Sequence, residues 1–199
     1  MNHLKGLAIA AAIAVALLVV AGTGSSSATV LCKTKSSPCS SPYLKGTLFK
    51  GVLTPGTTAV FKAGFATIEC TEGDGSIETT SNGSATETVT GTTKTLNFGG
   101  CNGEINVLKP GTGEIHWTSK TNGTFTAEGM EVTATTLGVH CVYGGKITSG
   151  ITLNGGENPT ITINAKVPKI SGSFFCSDPG TMTASLTVTE PTPLYVLAS

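Results

Sequence analysis

From about residue 47 the chain alternates apolar and polar residues with a period of two. Ala66, Ile68 and Cys70 fall on one parity, and Thr67, Glu69 and Thr71 on the other. The same rhythm recurs in Ile115 and Trp117 around His116, and in Met130, Val132 and Ala134 against Glu131, Thr133 and Thr135. It returns in Leu137, Val139, Cys141 and Tyr143, in Ile161 to Val167, and in Met182, Ala184, Leu186 and Val188. Successive side chains on a strand point to opposite faces, so such runs predict half-buried β-strands. Glycine, asparagine and proline clusters divide them: Thr54-Pro55-Gly56, Gly73-Asp74-Gly75, Ser81-Asn82-Gly83, Asn122-Gly123 and Asn154-Gly155-Gly156 read as turns. Ser76 to Thr90 reads as an exposed hairpin on its Asn-Gly pair. No stretch between residues 29 and 199 has helical periodicity with caps. Many short strands with closely spaced turn signals predict an all-β fold, an antiparallel β-sandwich braced by disulfides, with a β-barrel or a short β-solenoid as the alternatives.

One stretch breaks the rhythm. Leu7 to Ala21 is continuously apolar, follows a single charge at Lys5 within the first residues, and is followed by Gly22-Thr23-Gly24 and a serine run. A bilayer helix wants roughly 20 apolar residues. A shorter run with a basic start and a small-residue exit reads as a secretory signal helix. Cleavage after Ala28, with Ser26 and Ala28 as the small residues, makes residues 1–28 the signal peptide and 29–199 a single domain. The mature chain is then expected to be secreted or held at the cell surface, with no membrane segment after cleavage.

Export changes how the cysteines read. An oxidising compartment favours disulfides, and the six cysteines lack a C-x-x-C or zinc-ligand spacing. Cys32 and Cys39 are close enough to close a small loop. Six cysteines allow 15 pairings; order along the chain favours Cys70 with Cys101 and Cys141 with Cys176. Charged residues make up only 12 % of the sequence, net charge is zero, and every basic residue is lysine. Without arginine's planar fork or a basic run, nucleic-acid binding is not expected.

Several segments carry a resemblance: LCKTKSSPCSSPYLKGT, FATIECT, LNFGGC, VHCVYGG, GENPTITIN and PLYV. Together they resemble a group of uncharacterised Cys-, Thr- and Gly-rich secreted β proteins of actinobacteria. In that group a second cysteine follows the position of Cys101; here CNGEINVL has none. The resemblance implies secretion and an all-β fold, and it lends no catalytic residues.

Candidate chemistry is sparse. Glu72, Asp74 and Ser76 alternate around glycines, a spacing that could wrap oxygen ligands around Ca²⁺, although a solvated turn accounts for it as well. His116 and His140 with Glu114 or Glu131 could in principle ligate zinc or copper, but no H-x-H or H-E-x-x-H pattern joins them. Trp117 is expected on the core face with Ile115. Asn82-Gly83-Ser84 and Asn122-Gly123-Thr124 match glycosylation acceptors and read as plain turns in a bacterial chain. No G-x-S-x-G, kinase or phosphate-loop pattern is present. The sequence thus predicts a non-enzymatic protein with a structural, adhesive or weak ligand-binding role, without metal or cofactor, whose partner would be a cell-envelope carbohydrate or protein. The rival reading is a glycosidase-like hydrolase built on Glu114, Glu131 and His116.

Overall fold

A computed structural model describes residues 28–84 and 86–199. The signal helix expected over residues 1–28 lies outside them except for Ala28. The strands are β1 Thr29–Cys32, β2 Leu48–Leu53, β3 Ala59–Ala63, β4 Ala66–Thr79, β5 Val89–Cys101, β6 Glu104–Lys109 and β7 Thr112–Ser119. They continue with β8 Asn122–Thr136, β9 Val139–Ile147, β10 Ile151–Asn154, β11 Thr160–Val167, β12 Lys169–Gly172, β13 Gly180–Glu190 and β14 Tyr195–Ala198. All ladders are antiparallel, and the fold is all-β as the alternation predicts.

Three pairs of short strands lie end to end. β2 and β3 both pair with β13 on one side and β4 on the other. The jog between them is the expected Pro55-Gly56 turn, where Gly56 has φ 78°. β6 and β7 likewise run in line along one edge of β8, and β9 and β10 along its other edge. Treating each pair as one ribbon leaves a circuit in chain order: β2/β3, β4, β5, β6/β7, β8, β9/β10, β11, β13, and back to β2/β3. The two walls face each other across a common core, as in a sandwich, and the β8–β10 and β13–β2 ladders join them edge to edge into a barrel. A circuit of this size has an interior just wide enough to be filled by side chains or to hold one small ligand.

Inward-facing residues divide into two cores. The lower one holds Phe61, Ile68, Val132, Tyr143, Ile147 and Val167; the upper one holds Phe49, Val89, Ile115, Leu153 and Val188. β1 and β14 pair only with each other and lie against the upper core, to which they add Leu31 and Val196. Thr29 Oγ1 accepts from the Trp117 amide at 2.8 Å, and the Val196 amide donates to the Thr121 carbonyl at 3.1 Å.

The disulfides join Cys32 to Cys39, Cys70 to Cys101 and Cys141 to Cys176, the pairs that chain order favours. Three such bonds suit an oxidising surrounding.

Three turn expectations are corrected. Gly73-Asp74-Gly75 is not a turn but the middle of β4, because its neighbours on both sides supply a continuous ladder. The hairpin between β7 and β8 turns at Lys120-Thr121, with Lys120 at φ 54°, rather than at Asn122-Gly123. Gly123 is small for packing: a Cβ there would meet the His116 carbonyl at 2.7 Å and Val196 at 3.0 Å. Ser81-Asn82-Gly83 lies in the longer connection between β4 and β5, not in a two-residue hairpin turn.

All three tyrosines hold their protons more tightly than a free phenol. Burial pushes Tyr43 and Tyr143 up, and the Tyr195 hydroxyl, donating to Glu157 at 2.6 Å, is raised mainly by that bond. The unfolded chain therefore ionises first as pH rises past about 10. It then binds fewer protons than the folded chain, so stability falls with rising pH in that range. The melting temperature is expected to drop between pH 9 and 11, with tyrosinate absorbance of the native protein lagging that of the unfolded chain. A flat melting profile over that range would contradict the assignment.

Candidate functional site

The sites expected from sequence do not assemble. Glu72, Asp74 and Ser76 sit on a strand, where alternate residues stand in a straight row and cannot wrap an ion. Asp74 accepts from Asn97 Nδ2 at 3.0 Å, and the Ser76 and Thr95 hydroxyls are 2.7 Å apart. Glu114 and His116 lie on the outer face of β7 with 3.3 Å between Oε2 and Nε2. Glu131 is on β8 and takes Lys109 at 2.6 Å, and His140 Nδ1 bonds the Thr135 hydroxyl at 2.9 Å. None of these carboxylates or histidines lines any of the three cavities described below. Among the described residues no group of three or more His, Cys, Asp or Glu could hold a metal. Trp117 packs partly buried against the upper core, on the Ile115 face, and its indole N–H donates to the Lys120 carbonyl at 3.2 Å. Asn122 Oδ1 accepts from the Gly155 amide at 3.2 Å.

The site that does form is the space between the two cores. A cavity of about 170 Å³ runs through the barrel between Phe49, Phe125, Ile151, Ile161, Ile163 and Leu186. Phe125 and Ile161 are shared with a second cavity of about 50 Å³ toward the upper end, closed by Leu31 and Leu194 of the terminal segments. A third, of about 20 Å³, lies toward the lower end beside Phe61, Phe98 and Ile105 and shares Leu96, Met130, Val167 and Met182 with the first. The lining is apolar except where β2, β4 and β5 cross it. There Lys50, Ser76 and Thr95 turn their polar groups outward, Lys50 to Glu190 at 2.8 Å and Ser76 to Thr95, while Thr93 stays on the inward parity opposite Ile77.

The same three strands explain the room. Inward positions run Phe49, Gly51, Leu53 on β2 and Gly75, Ile77 on β4, and Gly51 lies opposite Gly75 across the ladder. A Cβ at Gly75 would make ordinary contacts, 3.4 Å to the Thr95 carbonyl and 3.5 Å to Leu96. No neighbour forbids a side chain there, and Gly75 does not need a positive φ. Glycine inside a strand weakens it and marks close approach by a ligand or another backbone. In contrast, Gly113 is covered by the Phe125 ring, which a Cβ would strike. In the sequence Gly73 and Gly75 beside Asp74 read as a turn, which hides this cavity; the signal for it is two inward glycines amid an unbroken alternation.

Outside the barrel, Phe65, Phe174 and Phe175 form an exposed stack, with Phe65 and Phe175 centroids 5.6 Å apart and Phe174 and Phe175 3.9 Å apart. Phe174 is 86 % exposed because residues 173–179 leave the sheet as a loop.

No family model, curated protein or solved structure matches this chain.

Proposed function

We propose that this is a secreted, non-enzymatic binding protein that carries a small apolar molecule inside its barrel. The observation that carries the reading is the apolar cavity of about 170 Å³ bordered by Gly51 and Gly75. A designed apolar cavity of about 150 Å³ stays dry and takes up benzene, so a space of this size and lining favours an aromatic ring or a short alkyl chain over water. Burial supplies the affinity, at about 25 cal/mol for each Å² of apolar surface removed from water. Export rests on the Leu7–Ala21 run and agrees with the three disulfides. The threonine-rich outer wall remains available to a cell-envelope partner.

The test is direct. Naphthalene should raise the melting temperature of the mature protein with a concentration dependence that saturates. Gly75→Leu, which places an isobutyl group in the cavity, should abolish that shift. The same change should leave the unliganded protein as stable or more stable, by about 0.5–1 kcal/mol, because a strand glycine is replaced. Loss of stability on Gly75→Leu, or no response of the natural chain to any apolar probe, would discard the reading.

A further inference from the structure

We infer that the ligand reaches the cavity through a slit in the barrel wall between β5 and β6, and that it is an amphiphile whose polar end stays at that slit. The inference rests on the binding reading above.

Two junctions in the circuit are only partly laddered: β11 meets the β9/β10 ribbon along Ile151–Asn154, with β12 taking up part of the free β9 edge, and β5 is joined to its next ribbon only at Val89–Thr92 with Thr112–Ile115, with no further strand covering the rest. β6 pairs with β8 alone. No ladder connects residues 94–100 with residues 104–109, although a tight connection at Asn102-Gly103 joins the two strands. The gap is pinned at both ends. Above, the Thr93 amide donates to the Gly111 carbonyl at 3.1 Å. Below, Cys101 is bonded to Cys70, and Asn102 exchanges two bonds with Glu69, amide to carbonyl at 3.1 Å and Oδ1 from the Glu69 amide at 2.8 Å. Between these pins no ladder closes the wall, and the ends of the unladdered stretch are fixed.

Its lips are apolar on the inside. Leu96 and Phe98 come from β5, Ile105 and Val107 from β6, and all four are only partly buried. Leu96, Phe98 and Ile105 line the smallest cavity, which shares Leu96 and Met130 with the main one. On the β6 lip the register shifts between Val107 and Lys109, and Leu108 stands out into solvent, 55 % exposed. A path of apolar side chains therefore leads from solvent through the slit to the central space.

The polar end follows from what borders that path. Facing strand edges without a ladder present backbone N–H and C=O groups that seek partners. At the upper corner Thr93 lies opposite the inward Ile77 and lines the main cavity, and among the described residues its hydroxyl makes no hydrogen bond. A hydroxyl or comparable group on the ligand would meet Thr93 and the free edges, while an alkyl or aryl body fills the cavity. Neither an ionic headgroup site nor a carboxylate clamp is built here, since no charged side chain turns into the lining.

The probes are naphthalene and 2-naphthol, which differ by one hydroxyl, followed by stopped-flow fluorescence on the mature, disulfide-bonded protein. Widening the slit with Ile105→Val and Ile105→Ala should speed association and dissociation together, severalfold for the alanine form, with the equilibrium constant nearly unchanged. Thr93→Val should weaken 2-naphthol about fivefold, the worth of one hydrogen bond, and leave naphthalene unaffected. The milder valine variant at position 105 covers the case in which alanine lowers stability. Binding of both probes with unaltered rates in the Ile105 variants overturns the portal, and an equal loss of both probes in Thr93→Val overturns the polar end; in either case the binding reading stands. Failure of the natural chain to bind either probe overturns that reading instead.

Discussion

Replacing Cys141 and Cys176 together by serine is expected to lower stability by about 3–4 kcal/mol, the chain-entropy value for a bond closing a sequence separation of 35. The bond ties β9 to the loop that follows β12, and both sulfurs are buried beside the lower core. β12 itself has one ladder, to β9, with a register shift between Lys169 and Ser171. With the bond gone, residues 173–179 are held to the body by Ser177, whose carbonyl accepts from the Tyr143 hydroxyl at 3.1 Å and whose Oγ accepts from the Gly64 amide at 2.8 Å. Hydrogen bonds of this kind each contribute only about 1 kcal/mol net. Guanidinium denaturation should show the loss together with a steeper dependence on denaturant, since a freed denatured chain exposes more surface. A loss below about 1 kcal/mol with an unchanged slope would mean that the bond does not constrain the unfolded chain as described.

Tyr143→Ala should cost as much or more, about 3–5 kcal/mol, the usual range for removing a large buried aromatic ring. Tyr143 is fully buried, meets Phe61 edge-on with centroids 5.0 Å apart, and donates its hydroxyl to the Ser177 carbonyl at 3.1 Å. Its ring also fills the space over Gly180, where a Cβ would approach it to 2.8 Å. Tyr143→Phe keeps the packing and removes only the hydroxyl, so it should cost about 1 kcal/mol. The two measurements separate ring from hydrogen bond. Equal effects would show that the contact with Ser177, not the ring, dominates.

The strands were legible in the sequence because alternation is local. Ala66, Ile68 and Cys70 are buried while Thr67, Glu69 and Thr71 are exposed, as the pattern predicts. Closure was not legible. Nothing near Ile151 says that β10 will find Asn122–Thr124, and nothing near Pro55 says that β2 and β3 will run in line between the same two neighbours. Pairings of that kind depend on how the whole circuit fits. The misread turns share one cause. Glycine next to Asp or Asn signals a turn when flanked by chain reversal, yet the same residues serve inside a strand where a side chain would fill wanted space. Gly75 and Gly123 are of the second sort, and only their neighbours across the ladder reveal it. The candidate metal and hydrolase residues were judged by spacing alone. Spacing on a strand puts Glu72, Asp74 and Ser76 in a row and sets Glu131 beside Lys109 instead of Glu114.

The β1–β14 ribbon bears on the order in which the molecule can be finished. Among the described residues Thr29 to Cys32 find their one ladder with residues 195–198, far along the chain. Until those residues arrive, Leu31 and Val89 wait without Leu194 and Val196, and the small upper chamber has no roof. So long a wait for a distant partner slows folding. It also leaves a period in which the nascent chain must be shielded from aggregation.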